Sequence, residues 1–260
     1  MDLIKKVIAN NKGGVAKTTT VYNLASYYAK NGFKVLVVDM DPQGNLTDSL
    51  GINPVTLDNT IYDVLVNRKS KDFLIKLPQY DHFYLLPSNL ESEAANLNLA
   101  SQVSRETLLK KSLKDVEDDF DICLIDTSPS LSVLTFNALA AADSIYIPLR
   151  AGYFELRGAG MLIDTIEQLK DELNSSLKIN GIILTQYDIR SNLSSDTQNE
   201  LENYFGSSLM KSKIRQNVDL GKAPALAQDI FTFAPHSNGA KDYEFLALEI
   251  LEREGLNTNG

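Results

Sequence analysis

The feature that most constrains this chain is a succession of apolar runs that do not alternate with polar residues. Lys34–Asp39 (KVLVVD), Phe83–Leu86, Ile122–Ile125, Ser144–Ile147 and Gly181–Leu184 read as strands, with a shorter one at Val7–Asn10. A strand apolar at consecutive positions is covered on both faces, as in a parallel sheet sandwiched between helices. Helical spacing of apolar residues marks the intervening segments Thr18–Lys30, Arg105–Val116, Leu131–Ala142, Leu156–Leu173, Asp196–Phe205 and Lys241–Arg253. This alternation implies an α/β fold, a doubly wound and mainly parallel sheet with helices on both faces. There is no internal repeat, low-complexity tract or Gly/Ser/Pro-rich linker. The expectation is a single domain over 1–254 with a frayed tail at 255–260.

Composition enters by exclusion. No apolar run reaches the roughly 20 residues needed to cross a bilayer, and the charged start, Met1–Lys6, does not resemble a secretory signal. A cytoplasmic address is expected. The single Cys123 lies in an apolar run and reads as a buried structural thiol. A net charge of −9 argues against a surface coated with nucleic-acid-binding residues but leaves room for a local basic patch. His82 and His236 stand apart from other candidate ligands and read as surface or packing residues.

The strongest chemical signal is Lys12-Gly13-Gly14-Val15-Ala16-Lys17-Thr18-Thr19, between the first strand and the first helix. Glycines let a backbone fold tightly and aim its N–H groups at phosphate oxygens, and the helix that follows adds its positive end. In such a phosphate loop Lys17 reaches the β- and γ-phosphates and the Thr18 hydroxyl ligates Mg²⁺. The alternative is a Gly-Gly turn that merely reverses the chain. Ala16 stands where a glycine is usual, which is tolerable if its φ stays negative. Lys12 adds a second cation at the loop's start, placed to act in trans on a partner's nucleotide in a face-to-face dimer.

These residues resemble the ParA/MinD family of deviant Walker A ATPases, whose signature lysine corresponds to Lys12. The resemblance continues through Asp39-Met40-Asp41-Pro42-Gln43-Gly44-Asn45, Ile122–Ser130, Leu131–Ala142, Leu184–Asp188 and Lys213–Pro224, nearly the whole chain in order. It implies a P-loop fold, ATP and Mg²⁺ as cofactors, and slow ATP hydrolysis with Lys12, Lys17 and Asp41 in catalytic roles. Asp126, closing an apolar strand, becomes the Walker B aspartate. Asp39 is expected near Thr18 and the metal shell, and Asp41 is placed to orient the attacking water. A bland reading makes Asp39 and Asp41 strand-end caps or turn formers, helped by Pro42 and Gly44. Ser128 replaces one of two prolines usual after the Walker B aspartate, in a segment expected to sense the γ-phosphate. Gln186, Arg215, Gln216 and Asn217 match the family's positions around adenine.

The resemblance further implies a homodimer in the ATP state, non-specific DNA binding on the nucleoid, and a ParB-like partner that stimulates hydrolysis. Candidate DNA contacts are Lys211, Lys213, Arg215 and Lys222, with Arg190 in a separate loop, although Asp219 stands where an arginine is familiar and the basic face could simply be solvated. With few residues before the loop, no helix-turn-helix and no sequence-specific operator binding are expected. The acidic end Leu248–Glu254 disfavours the membrane helix of MinD-type proteins, and one cysteine cannot share a nitrogenase-type cluster. A positioning ATPase with a protein cargo and a metabolic ligase on the same fold are the alternatives.

Overall fold

The structure is a computed structural model that describes residues 3–151, 155–188, 190 and 192–256. In chain order its elements are β1 (Ile4–Ile8), α1 (Lys17–Lys30), β2 (Val35–Met40), α2 (Asn45–Ser49), α3 (Ile61–Asn67), β3 (Ile75–Lys76), β4 (Phe83–Leu86), α4 (Ala95–Asn98), α5 (Leu108–Ser112), β5 (Ile122–Thr127), α6 (Val133–Ala141), β6 (Ser144–Arg150), α7 (Glu155–Leu173), β7 (Lys178–Tyr187), α8 (Asn192–Phe205), β8 (Leu209–Arg215), α9 (Val218–Lys222), α10 (Ile230–Phe233) and α11 (Asn238–Arg253).

The strands form one eight-stranded sheet in the order β3-β4-β2-β5-β1-β6-β7-β8. Its pairs are parallel except β3 with β4. The period of two splits each apolar run between two cores. Val35 and Val37 join Ile122, Leu124 and residues of α1 and α11, such as Leu24, Tyr28, Leu246 and Ile250. Leu36 and Val38 join Cys123, Ile125 and residues of α3, α5 and α6, such as Val64, Leu109 and Ala138. Both faces are therefore covered, and β1 lies between β5 and β6 at the centre. Among the described residues no helix is long and apolar enough to cross a membrane.

Several boundaries depart from expectation. β1 starts at Ile4 and includes Lys5 and the fully buried Lys6. The run expected as one helix over 105–116 is α5 flanked by 3₁₀ turns at Arg105–Thr107 and Leu113–Val116. The helix end carries a local closing turn. Gly255, at φ +68, closes α11 while the Leu256 N–H donates to the Leu251 carbonyl at 2.8 Å. Leu256 is buried in the α11 core. A left-handed glycine with an apolar residue folded back beyond it is a helix-closing motif. Of the tail expected to fray, 257–260 lie outside the described residues.

Candidate functional site

The site forms at the carboxyl edge of the sheet, where the connection after β1 runs toward β2 and that after the neighbouring β6 runs toward β7, leaving a crevice between them. The loop leaves β1 at Ala9 and enters α1 at Lys17. Gly14 takes φ +71, and Ala16 takes φ +67 with ψ 32 as the residue before the helix. The expectation of a negative φ at Ala16 is therefore corrected: the loop's curvature needs a left-handed residue there, and the methyl group adds strain of about 1 kcal/mol.

Neighbouring strands hold the loop in shape. Asn10 donates its side-chain amide to the Pro148 carbonyl at 2.7 Å and accepts the Lys12 N–H at 3.0 Å. From the end of β7, Thr185 Oγ1 donates to the Val15 carbonyl at 3.2 Å and Gln186 Nε2 to the Gly14 carbonyl at 2.6 Å. With these carbonyls engaged, the loop is fixed from beneath. Lys17 is buried, and its ammonium donates to the Lys12 carbonyl at 2.9 Å. Burial lowers its pKa below the ordinary lysine value, against the opposing pull of Asp126 and Asp41.

Beside Lys17, Thr18 Oγ1 donates to Asp126 Oδ2 at 2.6 Å. The other carboxylate oxygen, Oδ1, is buried with no hydrogen-bond partner. Burial and the neighbouring charge of Asp39 hold the Asp126 carboxyl well above the usual carboxylate range. A hard cation is attracted to a hydroxyl–carboxylate pair with an unused acceptor, and Mg²⁺ keeps several waters while taking few protein ligands. The donor set fits Mg²⁺, which Thr18 and Asp126 would hold. No larger cluster of metal-ligating side chains occurs among the described residues.

Asp39 lies opposite Asp126 in the strand register. Its Oδ2 accepts the Thr47 N–H at 2.9 Å and the Thr47 hydroxyl at 2.7 Å, while Oδ1 accepts the Asp41 N–H at 3.1 Å. It thus ties α2 and the Asp41 turn to the end of β2, and its charge acts on the Asp126 carboxyl beside Thr18. Burial raises the Asp39 carboxyl to about 6. Asp41 is nearly buried and accepts the Gln43 N–H at 3.0 Å. Gly44 then turns the chain at φ +64, where an added Cβ would meet the Ser88 carbonyl oxygen at 2.8 Å. Thr47, absent from the sequence reading, could have been found as the hydroxyl residue just inside the helix that follows this turn.

On the other side of the loop a cavity of about 600 Å³ is lined by Ala16, Thr19, Gln186, Arg215, Gln216, Asn217 and Tyr243. All the positions matched to adenine contacts meet in it. Gln186 sits there at φ +50, at an irregularity between β7 and β8. The segment after Asp126 is held by Thr127 Oγ1 on the Ile8 carbonyl and by Ser128 paired with Ser130 at 2.9 Å. Lys12, at the start of the loop, is half-buried.

The basic residues do not form one open patch. Arg215 is engaged by Asp242 through its backbone N–H and guanidinium. Lys213 donates to Gln198 and lies 5.0 Å from the centroid of the Tyr187 ring. Arg190 pairs with Asp188 at 3.2 Å. Lys211 and Lys222 are exposed. The Arg215 charge is matched by a nearly buried carboxylate.

A family model described as an AAA domain matches residues 4–179. The chain is 38% identical over 249 residues to the chromosome-partitioning ATPase Soj of Treponema pallidum, covering 96% of this chain and 97% of that protein. It is 39% identical to the sporulation initiation inhibitor protein Soj of Bacillus subtilis, over 94% of this chain and 96% of that one. The cobyrinic acid a,c-diamide synthase of Mycobacterium smegmatis, solved with bound ADP and magnesium, superposes with a TM-score of 0.85 at 32% identity, covering 97% and 96% of the two chains. With a loop built this way and similarity along almost its whole length, the chain belongs to the ParA/MinD family of P-loop NTPases, among the Soj/ParA proteins.

Proposed function

We propose that this protein is an Mg²⁺-dependent partitioning ATPase that uses ATP to switch between monomer and DNA-bound dimer. The observation that supports it most is the two-lysine loop. Lys17 is buried against the Lys12 carbonyl, beside a Thr18–Asp126 pair with an unused acceptor. The loop's N–H groups, α1 and Lys17 bind the triphosphate, and Gln186 and residues 215–217 enclose the base. Mg²⁺ neutralises charge on the phosphates when bound. Asp41 orients water, and Lys12 reaches the partner's nucleotide. Phosphoryl transfer depends on positioning and charge neutralisation, which these groups supply. In this reading the ATP-bound dimer occupies nucleoid DNA through phosphate contacts from Lys211, Lys213 and Lys222, and a ParB-like partner triggers hydrolysis and release.

The test is the molar mass of the Asp41→Ala protein with ATP and Mg²⁺ by light scattering, with and without non-specific duplex DNA at low and moderate salt. A nucleotide-dependent dimer that holds DNA and loses it as salt rises is the expected result. A dimer that ignores DNA redirects the assignment to a protein cargo. The likeness to the M. smegmatis synthase supports a second reading, an ATP-dependent ligase. A protein monomeric with ATP bound, whose ADP release requires a small-molecule acid, would establish it.

A further inference from the structure

We infer that Asp242 of α11 is a positioning residue that sets the nucleobase end of the cavity. This rests on the nucleotide reading above and assigns a residue outside the loop motifs. Asp242 is 5% exposed and lies on a helix face otherwise occupied by Tyr243, Leu246 and Ile250. Its Oδ2 accepts the Arg215 backbone N–H at 2.9 Å and Nε at 2.9 Å, and Oδ1 accepts Nη2 of the same guanidinium. A carboxylate that takes both a main-chain N–H and a guanidinium of one residue fixes that residue's backbone and side chain together.

Arg215 is the last residue of β8, where the strand becomes the loop that lines the cavity. From there the Gln216 N–H donates to the Tyr187 carbonyl at 3.1 Å, and Asn217 accepts the Asp219 N–H at 2.7 Å. The loop is thus anchored at each step, with Asp242 at the first. The next residue of the helix, Tyr243, lines the same cavity, and its hydroxyl meets Thr20 Oγ1 of α1 at 3.2 Å. Adjacent residues of α11 therefore touch both ends of the site: Asp242 the base end, Tyr243 the helix behind the phosphate loop. The spacing between phosphate and base subsites is set by α11. Removing Asp242 leaves the phosphate end intact and lets the base end drift.

The experiment compares binding of ATP and of inorganic tripolyphosphate, each with Mg²⁺, to the full-length protein by calorimetry. Tripolyphosphate engages only the phosphate end. Asp242→Ala is expected to weaken ATP by about tenfold while leaving tripolyphosphate unchanged, and to narrow the preference for ATP over GTP. The near-isosteric Asp242→Asn, which keeps one acceptor oxygen, is expected to fall between the two and guards against a folding defect in the alanine variant. Leu246→Ala, a core truncation on the same helix face, should lower stability without changing the ATP-to-tripolyphosphate ratio. If wild type binds ATP tightly and both Asp242 variants match it, or lose ATP and tripolyphosphate by the same factor, the positioning role is wrong and the nucleotide reading stands. If wild type binds ATP no better than tripolyphosphate, the nucleobase cavity itself is misassigned.

Discussion

At the scale of single residues, the site rests on backbone conformations that residue type alone does not announce. Ala16 is the clearest. Its left-handed φ of +67 is imposed by the turn from loop to α1, and an alanine there carries strain that a glycine would not. Ala16→Gly is therefore expected to stabilise the protein by up to about 1 kcal/mol, with part of the gain offset by the greater freedom of glycine in the unfolded chain. Ala29→Gly, at a right-handed position inside α1, should have the opposite sign and cost about 1 kcal/mol. Urea denaturation of the two variants without nucleotide decides it; equal destabilisation in both would show that Ala16 is unstrained. Asp39 teaches the same lesson. The resemblance implies a place near Thr18 and the metal shell, and a side chain at the end of β2 also takes whichever donor the following turn presents, here Thr47.

At the scale of elements, the strands buried on both faces were legible because their apolar runs had no other use. β2, β4 and β5 begin where KVLVVD, FYLL and the ICLID run place them, within a residue. β8 was not legible. Its sequence, LMKSKIR, has a polar Lys-Ser-Lys centre that breaks the apolar run, and its lysines drew attention as a charge cluster. Such a centre suits an edge strand, with only Met210 and Ile214 joining the α11 core. The candidate loop could be read because its glycines, lysines and threonines are adjacent in sequence. Asp242 could not, because it meets Arg215 only through the fold. The edge also depends on α11: Glu249 accepts the N–H groups of Lys211 at 2.9 Å and Ser212 at 2.8 Å. Glu249→Ala leaves these groups without their acceptor and should cost about 1–3 kcal/mol of stability, measured by denaturant unfolding. A loss under a few tenths of a kcal/mol would mean that water satisfies the edge equally well.

At the scale of the whole molecule, the end of the sheet opposite the candidate site joins the first strand to the last helix through a buried polar cluster. Glu254, beyond the end of α11, accepts through Oε1 from Ser144 Oγ at 2.7 Å, Tyr146 Oη at 2.8 Å and Asn180 Nδ2 at 3.0 Å. Near it the Lys6 ammonium of β1 is fully buried with no hydrogen-bond partner. Burial pushes the Lys6 pKa down from 10.5 to about 8, although the charge of Glu254 pulls it upward. Below pH 8 the folded protein thus carries a buried ammonium whose desolvation exceeds its attraction to Glu254. Between pH 8 and 10.5 the unfolded chain still binds this proton while the folded one has released it, so this group makes stability rise with pH across that window. Replacing the charge with an apolar side chain of similar length removes both effects. Lys6→Met is expected to stabilise the protein by about 1–3 kcal/mol at pH 7, and its advantage should shrink as the pH approaches 10. Guanidinium unfolding of both proteins at pH 7 and pH 9.5 measures the difference. An advantage that does not change with pH would place the effect in packing, and a destabilised variant would mean that Glu254 depends on the Lys6 charge more than the burial of that charge costs.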